Sequence, residues 1–229
     1  MKILILLTFI ALSFHFIINS NLKFLIKSKN QIQNIHEEKT LRLGGMIILF
    51  WLVISYLSGF LENFNFYYFF ALLFLIPAFF EDLHIHTNPK IRFLCIIIAC
   101  FFILLFEEKL PIFNTYYFDD ILNNLYFKII FFTFSLATVI NGMNMIDGTN
   151  GLCVFTTVSI FISLILITLM DGNHQLMVEL MIITSILLVF LFFNYPFGRI
   201  FLGDTGSYLL GFLSGIYVIK IYAEYPDLS

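Results

Sequence analysis

Four short stretches gather most of the side chains in this sequence that could do chemistry: "EEKTLRLGG" (37–45), "FFEDLHIHTNPKIR" (79–92), "NGMNMIDGTNGL" (141–152) and "NYPFGRIFLGDTGSYLLG" (194–211). Each brings a carboxylate, a cation, a glycine-rich turn or a mixture of these. Asp82, Asp147 and Asp204 suit Mg2+, a hard cation that takes one or two carboxylates and leaves its other positions to phosphate oxygens and water. Lys39, Arg42, Lys90 and Arg199 would neutralise phosphate charge. Gly44, Gly45, Gly203 and Gly206 would admit an anion close to backbone N–H groups, and a helix expected to begin after Gly206 would point its positive end at the same place. The inventory suits a diphosphate held with a divalent cation.

Taken singly, each stretch also has a plainer reading. A polar loop between apolar segments is a solvated turn, Asp204 with Thr205 is a natural helix N-cap, Glu81 and Asp82 are an acidic pair in solvent, and His84 and His86 are solvated loop residues. Convergence decides between the readings, and convergence depends on the elements between the loops.

Those elements are apolar. The 229 residues are 60% hydrophobic and 12% charged, with 31 Phe and a mean hydropathy of +0.96. Such a chain cannot hide its apolar surface in one water-soluble core. It reads as an all-α, polytopic integral membrane helix bundle forming one domain over 1–229. Eight apolar runs, near 3–19, 43–60, 64–80, 91–106, 121–140, 152–170, 176–193 and 206–222, predict about eight transmembrane helices; the third and fourth are short for a span of about 17–25 residues. The first run is expected to stay as a helix rather than to be cleaved as a signal. A net charge of −3 excludes a nucleic-acid partner, which needs a basic face. Cys95, Cys100 and Cys153 lie in or beside apolar runs and read as small buried hydrophobes.

Basic residues set the orientation. Lys23, Lys27, Lys29, Lys39 and Arg42 follow the first run, Lys90 and Arg92 follow the third, and Arg199 follows the seventh. By the positive-inside rule the segments near 20–42, 81–92, 141–151 and 194–205 are cytoplasmic and both termini lie outside. All four polar stretches thus share one face, while Asp119–Asp120 belong to the other.

In wording and order the stretches resemble the polyprenyl-phosphate N-acetylhexosamine-1-phosphate transferases, the superfamily that includes phospho-N-acetylmuramoyl-pentapeptide transferase. "LRLGGMII" is similar to that family's Pro-Arg-x-Gly-Gly, "EDLHIHTNPKIR" to its Asp-Asp pair followed by Lys, "NGMNMIDGTNGL" to Asn-Ala-x-Asn-x-x-Asp-Gly-x-x-Gly-Leu, and "FLGDTGSYLLGF" to Phe-Met-Gly-Asp-x-Gly-Ser-x-x-Leu-Gly-Phe. The resemblance implies a bacterial inner-membrane enzyme that moves a sugar 1-phosphate from a UDP-activated amino sugar to undecaprenyl phosphate, releases UMP, and starts a cell-envelope glycan such as lipopolysaccharide. It implies Mg2+, or Mn2+ in its place, no organic cofactor, and allows a homodimer.

Carried over by position, the resemblance makes Asp204 the metal ligand, joined by Asp147. Asp82, Glu81, Lys90 and Asp147 take catalytic positions, and Asn144, Gly148, Asn150, Asn194, Phe201 and Arg42 take substrate-binding ones, with Gly148, Asn150 and Phe201 around uracil. A phosphate monoester has a second pKa near about 6, so the acceptor is largely dianionic at pH 7 without a base. Asp82 is accordingly expected to organise metal and acceptor. Three departures stand out: Glu81 replaces the first Asp, Leu41 replaces the Pro, and the chain is short at its C-terminus, without the family's later His-rich loop. The alternatives are a non-catalytic relative that only binds UDP-sugar or lipid phosphate, and a multi-span transporter.

Overall fold

The computed structural model describes residues 2–19, 42–113, 122 and 124–225. Lys23, Lys27, Lys29, Lys39, Leu41, Asp119 and Asp120 lie outside them. Among the described residues there are eight α-helices and one 3-10 segment, and no strand. The helices are α1 (Lys2–Asn19), α2 (Gly44–Leu57), α3 (Leu72–Asp82, preceded by the 3-10 segment Phe66–Ala71), α4 (Pro89–Phe106), α5 (Leu125–Ile146), α6 (Leu152–Asp171), α7 (His174–Asn194) and α8 (Gly203–Glu224). Five of them, α4 to α8, are long and apolar enough to cross a membrane. Together they form a polytopic membrane helix bundle, as the composition requires.

The elements start where local chemistry allows. Asn88, Asn124 and Asn173 each accept a backbone N–H of the following first turn, and Pro89 sits at the first position of α4, where its missing N–H costs nothing. Gly172 ends α6 in the left-handed conformation. Large apolar side chains such as Phe16, Phe102, Phe127, Phe134, Leu166 and Phe192 cover the outer faces, as a hydrocarbon surrounding demands.

At the centre lies α8, which packs against α2, α3, α5 and α6 and is buried along nearly its whole length. Its small residues explain how one helix serves so many neighbours. A Cβ on Gly211 would sit 2.7 Å from the Cα of Ile140 on α5, and one on Gly215 would overlap Leu136; small residues four apart let helix backbones approach closely where no hydrophobic effect drives them together.

Two boundaries differ from the sequence expectation. Residues 141–146 are not loop but the last turns of α5, and α8 begins at Gly203 rather than after Gly206. In both cases a helix runs on past its apolar run, because cross-helix hydrogen bonds at the motif end replace solvent for the polar residues there.

At the opposite end, Glu179 is a buried acid inside α7. It accepts the Tyr217 hydroxyl and the Asn63 N–H at 2.8 Å, while Lys220 donates to the Asn63 carbonyl. Tyr68 donates to Glu107 at 2.6 Å. This intramembrane acid is enclosed by local partners, a staple between α7, α8 and the 58–65 connection.

Candidate functional site

The ends of α3, α5 and α7 and the starts of α2, α4, α6 and α8 meet at one end of the bundle, and the described parts of the polar stretches meet with them. The centre of that meeting is the start of α8. Asp82, the last residue of α3 and only 6% exposed, places its carboxylate on it. Its Oδ1 accepts the N–H of Asp204 at 2.7 Å, and its Oδ2 accepts the N–H and the hydroxyl of Thr205 at 2.9 and 2.7 Å. Three donors therefore hold one carboxylate, and the positive end of the α8 dipole faces it.

This arrangement corrects two sequence readings. Asp204 is not the N-cap of α8 but sits in its first turn; the cap comes from another helix, through Asp82. The α8 terminus, expected as an open anion site, holds a resident anion. Gly203 makes the fit possible: its φ is +78°, and a Cβ there would lie 2.6 Å from Asp82 Oδ1. Gly44 and Gly45 are likewise closed to an external anion. Their N–H groups donate to the carbonyls of Phe201 and Leu202 at 3.0 and 2.8 Å, which stitches the start of α2 to the segment leading into α8.

Glu81, next to Asp82, turns the other way. Its carboxylate accepts the Thr87 N–H at 2.8 Å and hydroxyl at 3.0 Å, with His86 at 3.3 Å, and so closes the 82–88 connection. The longer arm of Glu serves this reach across six residues.

Asp204 turns its Oδ2 to Arg92, whose Nη1 donates at 2.7 Å. Lys90, the expected basic residue, is exposed on the first turn of α4. Helical phase separates the two: Arg92 is in register with the buried Ile96, Ala99, Cys100 and Ile103, whereas Lys90 falls in line with the exposed Leu94 and Ile98. Arg92 is the functional candidate that the sequence reading left as a topological charge, and this phase was the signal for it.

Asp147 caps the C-terminus of α5 close to the same cluster. Burial, and after it the charges of Asp204 and Asp82, push its carboxyl up to about 6, with Arg42 opposing. Asn144, one turn earlier on α5, accepts the Ser207 hydroxyl at 2.6 Å through its Oδ1, which turns its amide N–H2 away from Ser207. Across the site, Gly198, with φ +58°, lies against Asn150 and Phe201: a Cβ there would be 2.8 Å from Asn150 Nδ2 and 3.3 Å from the Phe201 ring. Asn194 is 3% exposed and donates to the Ile200 carbonyl at 2.8 Å, closing the connection that carries Phe201. Gly148 and Arg42 are exposed, and a Cβ on Gly148 would touch nothing.

The raised carboxyl of Asp147 gives a pH signature. An acid with a higher folded than unfolded pKa binds its proton more tightly when folded, so stability in the absence of metal falls as pH rises from about 4 to about 6 and is level above. We expect Asp147→Asn to raise the melting temperature above pH 6 and to leave it unchanged below pH 4, as followed by circular dichroism in detergent.

A membrane helix bundle with carboxylates, a guanidinium and a ring-lined corner gathered at one end defines the class. Residues 64–222 match the family model described as glycosyl transferase family 4, and the chain belongs to that family. Among curated proteins it is 29% identical over 217 residues to a phospho-N-acetylmuramoyl-pentapeptide-transferase from Bartonella quintana, covering 80% of this chain and 59% of that one. It is 30% identical over 138 residues to the Leuconostoc mesenteroides protein of the same name (60% and 42%), and 27% identical over 186 residues to that of Streptococcus pneumoniae (80% and 52%). The chain spans about half the length of the curated relatives it matches.

Proposed function

We propose that the chain transfers a sugar 1-phosphate, of N-acetylhexosamine type, from a UDP-sugar to undecaprenyl phosphate, giving the lipid-diphosphate-sugar and UMP. An oxygen of the lipid phosphate attacks the β-phosphorus of the donor, the bond from that phosphorus to the bridging oxygen breaks, and UMP leaves with the bridging oxygen. The observation that carries this reading is the assembly of Asp82, Asp147, Asp204 and Arg92 around the start of α8. The family membership and the names of the relatives support it.

The donor set fits Mg2+. Asp204 and Asp147 offer hard oxygen ligands, and the charges of Asp204 and Asp82 add to burial in raising the Asp147 carboxyl. Among the described residues no three His, Cys, Asp or Glu side chains form a closed cage, and Mg2+ with a diphosphate does not require one. Bound there, the ion would neutralise charge on the donor diphosphate.

The chain's own groups do the rest by position, as is usual in phosphoryl transfer. Asp82 holds Asp204 in place through α8. Glu81 shapes the connection that leads into α4 and Lys90, and the Asn144 amide presents its donors to an anion. Phe201, Asn150 and Gly148 take the uracil ring, with the open space over Gly148 leaving room for it, and Asn194 holds the Phe201 segment. Arg42 and Lys90 counter phosphate charge. Arg42, Lys90, Arg92 and Arg199 all lie at the motif end, which supports a cytoplasmic site on the inner membrane.

The test is UMP release from a panel of UDP-sugars by purified protein with undecaprenyl phosphate and Mg2+. Release dependent on lipid and metal is expected with at least one amino-sugar donor. Mg2+-dependent UDP-sugar binding with no release from any donor would reduce the chain to a non-catalytic binder.

A further inference from the structure

Arg92 uses little of its hydrogen-bonding capacity. Its side chain is only 14% exposed, its Nη1 engages Asp204 Oδ2, and its Nε is buried with no partner among the described residues. A guanidinium has five donors, and a buried one left without a partner is costly. The partner it engages among the described residues, Asp204, is the carboxylate the proposed reaction requires for the metal. Glu81, the other acid facing Arg92, has its oxygens on Thr87 and His86.

We propose that Arg92 is an exchangeable counter-cation: it neutralises Asp204 before the metal arrives, and turns to a phosphate of the nucleotide donor once the metal has taken the carboxylate. The inference rests on the reading of Asp204 as metal ligand. A metal on the Asp204 carboxylate would have to displace the guanidinium that Oδ2 already engages, so the protein alone would bind the metal weakly. A diphosphate offers the released fork the planar, bidentate partner that a single carboxylate oxygen does not. Metal and nucleotide then favour each other's binding by the same factor, and the half-buried Asp204 carboxylate keeps a counter-charge between turnovers.

Mn2+ titrations followed by electron paramagnetic resonance, with and without UDP, test this on wild type, Arg92→Gln, Arg92→Lys and Asp204→Asn. Without UDP, Arg92→Gln is expected to bind Mn2+ about 10-fold more tightly than wild type, because the competitor is gone. Arg92→Lys is expected to fall between them, since an ammonium keeps the charge but not the fork. With UDP, wild type gains more Mn2+ affinity than Arg92→Gln does. Equal Mn2+ affinity of wild type and Arg92→Gln without UDP would overturn the exchange, and so would equality of wild type and Arg92→Lys, which leaves only the field of a nearby positive charge. Unchanged Mn2+ binding in Asp204→Asn would instead remove Asp204 as the ligand and overturn the reading beneath it.

Discussion

Asp82→Ala is expected to be the most damaging single change at the motif end. It removes the acceptor of three hydrogen bonds and strands the N–H groups of Asp204 and Thr205 at a buried helix start. A lost cap combined with lost bonds to a charged acceptor should lower stability by about 3 kcal/mol. Misplacing Asp204 should lower UMP release by about 100-fold or more, since small displacements of positioning groups have effects of that size. Asp82→Asn does not rescue, because its amide N–H2 would face the very N–H donors that the second carboxylate oxygen accepts. Thr205→Val, which removes only the hydroxyl, should show a milder loss. Thermal unfolding in detergent and turnover on the same preparations check both effects. If Asp82→Ala melts like wild type, or if Asp82→Asn keeps its fold and recovers turnover as pH rises, Asp82 is not chiefly a clamp.

The second large effect is expected at Gly45. A Cβ there would fall on the backbone N and Cα of Gly206, so the starts of α2 and α8 would have to separate. The adjoining bonds from Gly44 and Gly45 to the carbonyls of Phe201 and Leu202 would lengthen with them. Overpacking against backbone rather than a movable side chain, with two hydrogen bonds strained, should cost about 3 kcal/mol for Gly45→Ala and more for Gly45→Val. Gly148→Ala provides the contrast. Nothing surrounds that position, so its stability should stay within about 0.5 kcal/mol of wild type, while UDP-sugar affinity falls if the ring lies over it. A Gly45→Ala protein as stable as wild type would show that the two helix starts are not held as tightly as the geometry states.

How these residues work was only partly written in the sequence. The membrane bundle was legible because composition leaves a chain this apolar no other fold, and the spans followed from runs of Leu, Ile and Phe with Asn and Gly at their ends. The convergence of the polar stretches followed from counting spans, since alternate connections share a face. The partners within that face were not legible. Asp82 and Asp204 are 122 residues apart, and nothing local to "EDLHIHT" or "FLGDTGS" says that one caps the helix carrying the other. Asp204 with Thr205 looks like a self-contained cap, and only the tertiary contact shows that the capping carboxylate comes from α3. The double glycine was read as an opening for an anion when it marks two backbones in contact. Arg92 was within reach of a finer reading. Continuing the helical phase of Ile96, Ala99 and Ile103 back by one turn puts it on the buried face, where a charge is kept with a partner.

On the proposed reaction, the chain moves phosphorus together with the sugar. UDP-amino sugars labelled with 32P at the β-phosphate, incubated with the purified protein, Mg2+ and undecaprenyl phosphate, test it most directly. We expect the label to pass into the lipid phase as unlabelled UMP appears in water, and Asp204→Asn to abolish both. Sugar entering the lipid phase while the 32P stays in water as UDP would contradict it, because the chain would then transfer the sugar alone.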